Sequence, residues 1–573
     1  MIRPLHFPRN LLIVCLISMS GMVGLVAYVH YKHLTEQPYV PLIPTKKVDS
    51  SVAIGGQPNS QTPPFRPSSS HHDTSESYPS TSQQQQPAQP PTAPSSSKQD
   101  EVTASVKKEY AYTALVAPND PYYASSWAMQ HTSAAAAWNI NTGTVVKVAV
   151  IDTGFALQHE DLTTQWAINT QETGMTQLSD HCWTGAPQDK STNTCDDDDN
   201  GYVDDWRGWN FVNKTNNPQA GTTMTNGTAA ISHGTSTAGL VSAATNNGKG
   251  IASYNWNAKI IPLEVLDDSG VGVTSSVIAA ILYAVDNGAQ VINLSFGGPD
   301  QDPALQPALD YAFNHGTVVV AAAGNCGTNG DAGCDGLTAP RMMYPALNNH
   351  VIAVGATDSN DSRASFSSYG PGIDVVAPGS GSIVSPLIDT RTTPYNYTSA
   401  YSGSLYGTSF AAPVVSSIAA LIRSIRPLTT VDDITALIDG SATKVAKMNG
   451  QIYTNEYGHG LVSAGTALLI ADNLTKNSTS TPIFTQTGDS RSEHSYSSTA
   501  AMSSGCKVSA GTYCTIRMEN TTSYFDRYLP YQKADATGRT GWQWSGGILR
   551  SGEWSLRATQ GDSSSGTYFL FAK

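Results

Sequence analysis

One stretch restricts this chain more than any other. After Gly407-Thr408, Ser409 is followed by Ala411, Ala412, Val414, Val415, Ile418, Leu421, Ile422 and Ile425, and the run stops at Arg426-Pro427. Apolar residues at that spacing predict a buried helix with Ser409 in its first turn. A serine there sits at the tip of a rigid element, and its own N–H is one of the unpaired donors of a helix start. Most serines at helix starts only cap the helix, so a chemical role needs partners elsewhere in the chain.

Two partners lie upstream. Val146–Asp152 is a β-branched run that ends in an acid before Thr153-Gly154, which puts Asp152 at the C-terminal tip of a strand. His233-Gly-Thr-Ser-Thr-Ala-Gly239 opens a small-residue helix with histidine at its start. Asp, then His, then Ser, each at an element terminus, is one of the chain orders of a catalytic triad. Ile151-Asp-Thr-Gly154, His233-Gly-Thr235 and Gly407-Thr-Ser-Phe-Ala-Ala-Pro413 resemble the three active-site signatures of the subtilisin-like serine proteases, in that family's order. Ala321-Ala-Ala-Gly-Asn325 resembles its oxyanion segment. The resemblance spans residues 117–473.

What the resemblance implies is an α/β fold, a three-layer arrangement with a mostly parallel sheet between helices. The alternation of elements agrees with it. Val145–Ile151, 259–266, 290–295, 317–323, 351–356 and 373–378 read as strands, and 233–246, 303–315 and the face Val277, Ile278, Ile281, Leu282, Val285 as helices. Strands alternating with helices give a parallel sheet with its site at the strands' C-terminal ends.

The resemblance also implies roles. Asp152 would orient His233, and His233 would take the proton of Ser409 as it attacks a peptide carbonyl. Asn325 and the Ser409 N–H would hold the oxyanion. Ser295, Phe296, Gly297 and Gly298 would form one wall of the substrate cleft, Ala323 and Gly324 the other. Met343 would stand on the floor of the pocket for the residue before the cut, where many relatives carry glycine. That pocket would be apolar and shallow, favouring Leu, Met or smaller residues over Phe and Tyr.

Asp196-Asp-Asp-Asp-Asn-Gly-Tyr-Val-Asp-Asp205 has the opening of a calcium loop. Oxygens at Asp196, Asp198 and Asn200, a turn at Gly201, then Tyr202, suit a hard cation. The closing Glu of an EF-hand is missing, since Arg207 holds its position, and Asp204 or Asp205 would substitute. The alternative is a solvated acidic loop. Asp161 hints at a second, family-type calcium site, although its companion loop 246–250 is short and carries Lys249. Any such ions are structural; catalysis needs no cofactor.

Composition bounds the partners and the compartment. A net charge of −13 with 13% charged residues argues against nucleic acid. Six of the seven cysteines form three close pairs: Cys182 with Cys195, Cys326 with Cys334, and Cys506 with Cys514. Local pairing of an even number predicts disulfides and an oxidising compartment.

The rest of the chain reads as accessories. In 1–33, Leu11–Val29 is long and apolar enough to span a bilayer, with Arg3 and Arg9 before it. An uncleaved anchor with the N-terminus inside is preferred; cleavage after Ser18-Met-Ser20 would give a secreted form. Residues 34–105 are a Ser/Pro/Gln-rich spacer where relatives carry a folded pro-segment. The protease domain occupies 106–473, a linker 474–500, and a small aromatic-rich all-β domain 501–573. Its aromatics fill a small core or bind a cell-surface ligand such as a glycan. The chain thus reads as a secreted or membrane-tethered serine endopeptidase acting on proteins or peptides. A surface-binding protein with a silent site is the competing class, and acyl transfer to an amine a third.

Overall fold

The computed structural model describes residues 116–222, 230–334 and 336–476, with short strands outside them. The predicted membrane segment at 11–29 and nearly all of the spacer at 34–105 lie outside the described residues.

Seven strands form one sheet: β1 (Lys147–Asp152), β2 (Trp209–Asn210), β3 (Lys259–Glu264), β4 (Val291–Leu294), β5 (Val318–Ala322), β6 (Val351–Thr357) and β7 (Val375–Pro378). Their order is β2-β3-β1-β4-β5-β6-β7, and every pairing is parallel. Val148 and Val150 of β1 point into one apolar cluster, Ala149 and Ile151 into another. Both faces are therefore covered, which is why these strands are continuous apolar runs. The chain leaves β1 toward β3 on one side and returns to β4 on the other. The strand order thus reverses at β1, and an open parallel sheet forms its ligand crevice at such a point.

Helices cover both faces. On one lie α3 (His233–Ser242), α6 (Thr408–Ile425), α7 (Val431–Ser441) and α8 (Ala464–Lys476), preceded by the short α1 (Trp127–His131) and α2 (Ala134–Trp138). On the other lie α4 (Thr274–Asp286) and α5 (Gln306–Asn314). Among the described residues α6 alone is long and apolar enough to cross a membrane, and it is a core helix buried for 94% of its apolar window. Ala411, Val415, Ala419, Leu421 and Ile422 are fully inaccessible.

Several expected elements are shorter than the sequence pattern suggested, and at α3 and β3 the reason is visible. Helix α3 stops at Ser242 because Ala243 turns extended. The N–H groups of Asn246 and Asn247 then bind Asp120 (2.8 and 3.2 Å) rather than continuing the helix. Strand β3 ends at Glu264, after which Val265 and Leu266 both donate to the Asp152 carbonyl.

The pattern gave no warning of the antiparallel hairpin β8 (Ile383–Asp389) and β9 (Asn396–Leu405). It lies along α3. Ser385 Oγ donates to Ser236 O (2.7 Å), Ser236 Oγ to Pro386 O (2.7 Å), and Ser232 Oγ to Ile388 O (3.1 Å). Beyond residue 476, strands between His494 and Ala572 pair antiparallel in two sheets, in keeping with an all-β C-terminal region.

Candidate active site

Asp152 ends β1 and is wholly buried. Three donors hold its carboxylate. Thr153 N–H (2.7 Å) and the His233 ring Nδ1 (2.7 Å) meet Oδ1, and Thr237 Oγ1 meets Oδ2 (3.1 Å). The acceptor for Nδ1–H is a carboxylate, which fixes the tautomer with the proton on Nδ1.

Small residues make this contact feasible. A Cβ on Gly234 would stand 2.4 Å from Thr153 O, and one on Gly154 would stand 2.5 Å from Ala220 Cα. Gly234 N–H donates to Thr153 Oγ1 (2.9 Å), so the first turn of α3 lies directly on the tip of β1. His233 is consequently buried, and its Nε2 has no hydrogen-bond partner. A buried orphan nitrogen costs free energy unless a use is found for it. The ring of Phe410, the neighbour of Ser409, lies 5.5 Å from the imidazole.

Ser409 occupies the first turn of α6 and is 5% exposed. Its position is fixed through its carbonyl, which accepts Ser295 Oγ (2.8 Å); Ser295 Oγ accepts from Asn293 Nδ2 (2.8 Å), and Asn293 Oδ1 from Ser416 Oγ (2.9 Å). A polar relay thus ties β4 to α6 just behind Ser409. Gly407, at φ +142, gives the chain its entry into the helix.

Asn325 follows β5. Its Oδ1 accepts both Thr408 N–H and Thr408 Oγ1 (3.0 Å each), and Thr408 Oγ1 accepts Gly324 N–H (3.2 Å). With Oδ1 committed to two donors, Nδ2 is the end of the amide left to donate outward. It lies on the Gly407 side, 3.5 Å from where a Gly407 Cβ would be.

The expected cleft walls are stitched together by the segment between them. Met343 N–H donates to Ala323 O (2.9 Å), and Gly298 and Tyr344 exchange both backbone bonds (2.8 Å each). Met343 is wedged where side chains are missing. A Cβ on Gly324 would stand 2.4 Å from Met343 Cγ, and one on Gly297 would stand 2.8 Å from Met343 Cβ. Met343 shares an apolar cluster with Cys326 and Cys334, against which Leu337 and Ala339 pack. Ser295 and Phe296 are buried, Ser295 facing α6.

Two of the expected disulfides are present, Cys182–Cys195 (Cα–Cα 6.0 Å) and Cys326–Cys334 (4.4 Å). Cys506 and Cys514 lie on strands whose side chains fall outside the description.

The acidic loop is assembled differently from its one-dimensional pattern. Asp204 turns away, and both its oxygens accept Thr194 N–H (3.1 and 3.2 Å). The Tyr202 ring packs among Trp209, Phe211 and Tyr283. Asp196 and Asp198 meet instead a residue the pattern missed, Glu172, fully buried on a single 3-10 turn (Thr170–Glu172). Burial, then the charges of Asp205, Asp198 and Asp197, push the Glu172 carboxyl up to about 8 against the Asp197 N–H that binds it. Asp161, far from this loop in sequence, is satisfied by Asn247 Nδ2 (2.9 Å) and Ile251 N–H (3.0 Å). Burial pushes its carboxyl up to about 7.

The sequence profile described as the subtilase family matches residues 143–473. Thermitase of Thermoactinomyces vulgaris is 38% identical over 330 residues, which cover 57% of this chain and 92% of that protein. Subtilisin DY of Bacillus licheniformis is 40% identical over 236 residues, 41% of this chain and 77% of that protein. The extracellular protease of Xanthomonas campestris pv. campestris is 32% identical over 391 residues, 65% of this chain and 60% of that protein. A solved protease of Pseudoalteromonas arctica aligns over 62% of this chain and 100% of its own, at 30% identity and a TM-score of 0.46.

Proposed function

This chain belongs to the subtilase family and is a serine endopeptidase, and from that premise we propose which of its residues do the work. Ser409 is the nucleophile, His233 its general base, Asp152 the orienting carboxylate and Asn325 the oxyanion donor. The observation that carries this reading is the 2.7 Å contact from Asp152 to His233 Nδ1, with Nε2 buried and unpaired beside the residue that follows Ser409. An Nδ1–H pinned by a carboxylate leaves Nε2 as the basic lone pair, which is what removing the Ser409 proton requires. After attack, that proton passes to the leaving amine. The test is caseinolysis by the wild type beside Ser409→Ala and His233→Ala. Each variant should lose activity by at least about 10⁴-fold. A variant retaining more than a few per cent of the rate would refute the assignment.

The pocket before the cut takes aliphatic side chains of the size of Leu and Met or smaller. Met343 fills the space between Gly297 and Gly324, which favours Ala, Met or Leu over an aromatic ring. A P1-scanned peptide library reads this directly, and a preference for Phe or Tyr contradicts it. Pocket volume is worth about 10–200-fold per methylene, so Met343→Gly should raise kcat/KM on Phe substrates by at least about tenfold.

We further assign the protein to the outside of the cell, tethered by Leu11–Val29 or released by cleavage there. Two disulfides, and the likeness to the extracellular protease of Xanthomonas campestris, support this. A structural calcium ion belongs to the acidic loop 196–205. Among the described residues Asp161 joins no cluster of three acidic or metal-ligating side chains, whereas Asp196 and Asp198 converge with Glu172, so the loop is the better fit for a cation.

A further inference from the structure

The acidic loop presents a structural difficulty that its own residues do not resolve. Glu172, Asp196 and Asp198 each bring a carboxylate oxygen within 4.8 Å of the others. Asp205, wholly buried, is linked to them through Asn169, whose Nδ2 donates to both Asp198 and Asp205 (2.9 Å each). Among the described residues no ion pair reaches Glu172, Asp196, Asp198 or Asp205. Lys190, which reaches the loop at Asp197 (3.6 Å), is also engaged by Asp180 (3.1 Å).

Within this group Glu172 stands apart. Its Oε1 accepts Asp197 N–H (2.6 Å) and Asp198 N–H (3.1 Å). Its Oε2 is buried with no hydrogen-bond partner. Burying a carboxylate oxygen without a donor or a counter-charge is strongly unfavourable. The backbone bonds to Oε1 also orient the side chain, so Oε2 has a fixed direction.

The loop spacing supplies oxygens at Asp196, Asp198, Asn200 and the Tyr202 carbonyl, the first four coordinating positions of a calcium loop, and then lacks the closing Glu. We propose that Glu172, 24 residues before the loop's first ligand, is that closing carboxylate, completing a site for one Ca²⁺ with Asp196 and Asp198. The ligand order along the chain is permuted, with the last carboxylate arriving first. This inference rests on the calcium reading of the loop and sharpens it: Glu172 takes the closing role for which Asp204 and Asp205 were the candidates. Asp204 caps Thr194, and Asp205 supports the site through Asn200 Nδ2 (3.0 Å) and Tyr283 OH (2.6 Å). The bound ion would join the 170–172 turn, the loop and, through Tyr283, helix α4.

The test uses the full chain carrying Ser409→Ala, which cannot digest itself. After chelation, Ca²⁺ binding is measured by calorimetry and unfolding temperature with and without calcium. Ligand charge count tunes affinity strongly in such sites. Glu172→Gln should therefore weaken one ion by at least about tenfold and shrink the calcium-dependent rise in melting temperature. In chelator the same variant should melt at or above its parent, because the uncompensated oxygen is gone. Asp161→Asn, run alongside, should leave that ion in place. Unchanged affinity and stoichiometry in Glu172→Gln would overturn the role of Glu172 alone. A parent with no ion lost on Asp198→Asn would overturn the calcium reading itself. A Glu172→Gln protein destabilised equally with and without calcium would make Glu172 a hydrogen-bond acceptor only.

Discussion

At Asn325 the account depends on one amide. Thr408 holds Oδ1 with two donors, so the side chain is preorganised with Nδ2 free to meet developing charge. Asn325→Ala should lower kcat by about 10²–10³-fold with KM nearly unchanged, the loss seen when the corresponding donor is removed from a subtilisin, and should cost about 1–3 kcal/mol of stability because the buried Thr408 donors lose their acceptor. Full activity in that variant would remove Asn325 from the oxyanion hole. Asp152, His233, Asn325 and Ser409 were legible in the sequence because each ends or begins an element and sits in a short motif. Thr237 and Glu172 were not. Thr237 looks like one more small residue in α3, and its 3.1 Å bond to Asp152 exists only once the helix lies on the strand. Glu172 is separated from its loop by a disulfide-closed excursion, so no local spacing joins them.

Among the elements, α6 carries the greatest load, since it buries an apolar helix and presents Ser409 at one end. Leu421 is fully inaccessible in its middle. Leu421→Ala should destabilise the domain by about 2–5 kcal/mol, read by denaturant unfolding of the Ser409→Ala protein. The α3 start is limited by space rather than by burial. A methyl on Gly234 would overlap Thr153 O, so Gly234→Ala should push α3 off the strand tip and reduce kcat more than it reduces stability. A fully active Gly234→Ala enzyme would contradict that close approach. The apolar runs of β1, β3, β4, β5 and α6 were readable because burial on both faces leaves no polar alternation. The β8–β9 hairpin was not. Strand β9 runs through Ser, Thr, Tyr and Gly and is largely part-exposed, and β8 is held by hydrogen bonds with Ser232 and Ser236 that no local pattern announces.

For the whole molecule, charge burial sets a pH dependence that the sequence pattern could not reveal. Asp433 is fully buried in the capping box of α7, and burial pushes its carboxyl up to about 6, against the Thr430 bonds and the charge of Arg426. Its folded value therefore lies above the unfolded one of about 3.9. Between roughly pH 4 and 6 the folded protein holds a proton that the unfolded chain has released. Stability from this group falls as pH rises through that window and is constant above it. The difference in unfolding free energy between wild type and Asp433→Asn should change by about 2–3 kcal/mol from pH 4 to pH 7 and then flatten. A difference independent of pH would place Asp433 in an ordinary solvated state.

The central claim is that Ser409 is made nucleophilic by His233, and active-site labelling tests it most directly. The folded protein, in buffer containing calcium, is treated with a fluorophosphonate beside Ser409→Ala, and the adduct is mapped by mass spectrometry. The account predicts a single adduct on Ser409, absent from the variant and strongly slowed in His233→Ala. Folded protein that takes no label, or takes it equally in Ser409→Ala, would contradict it.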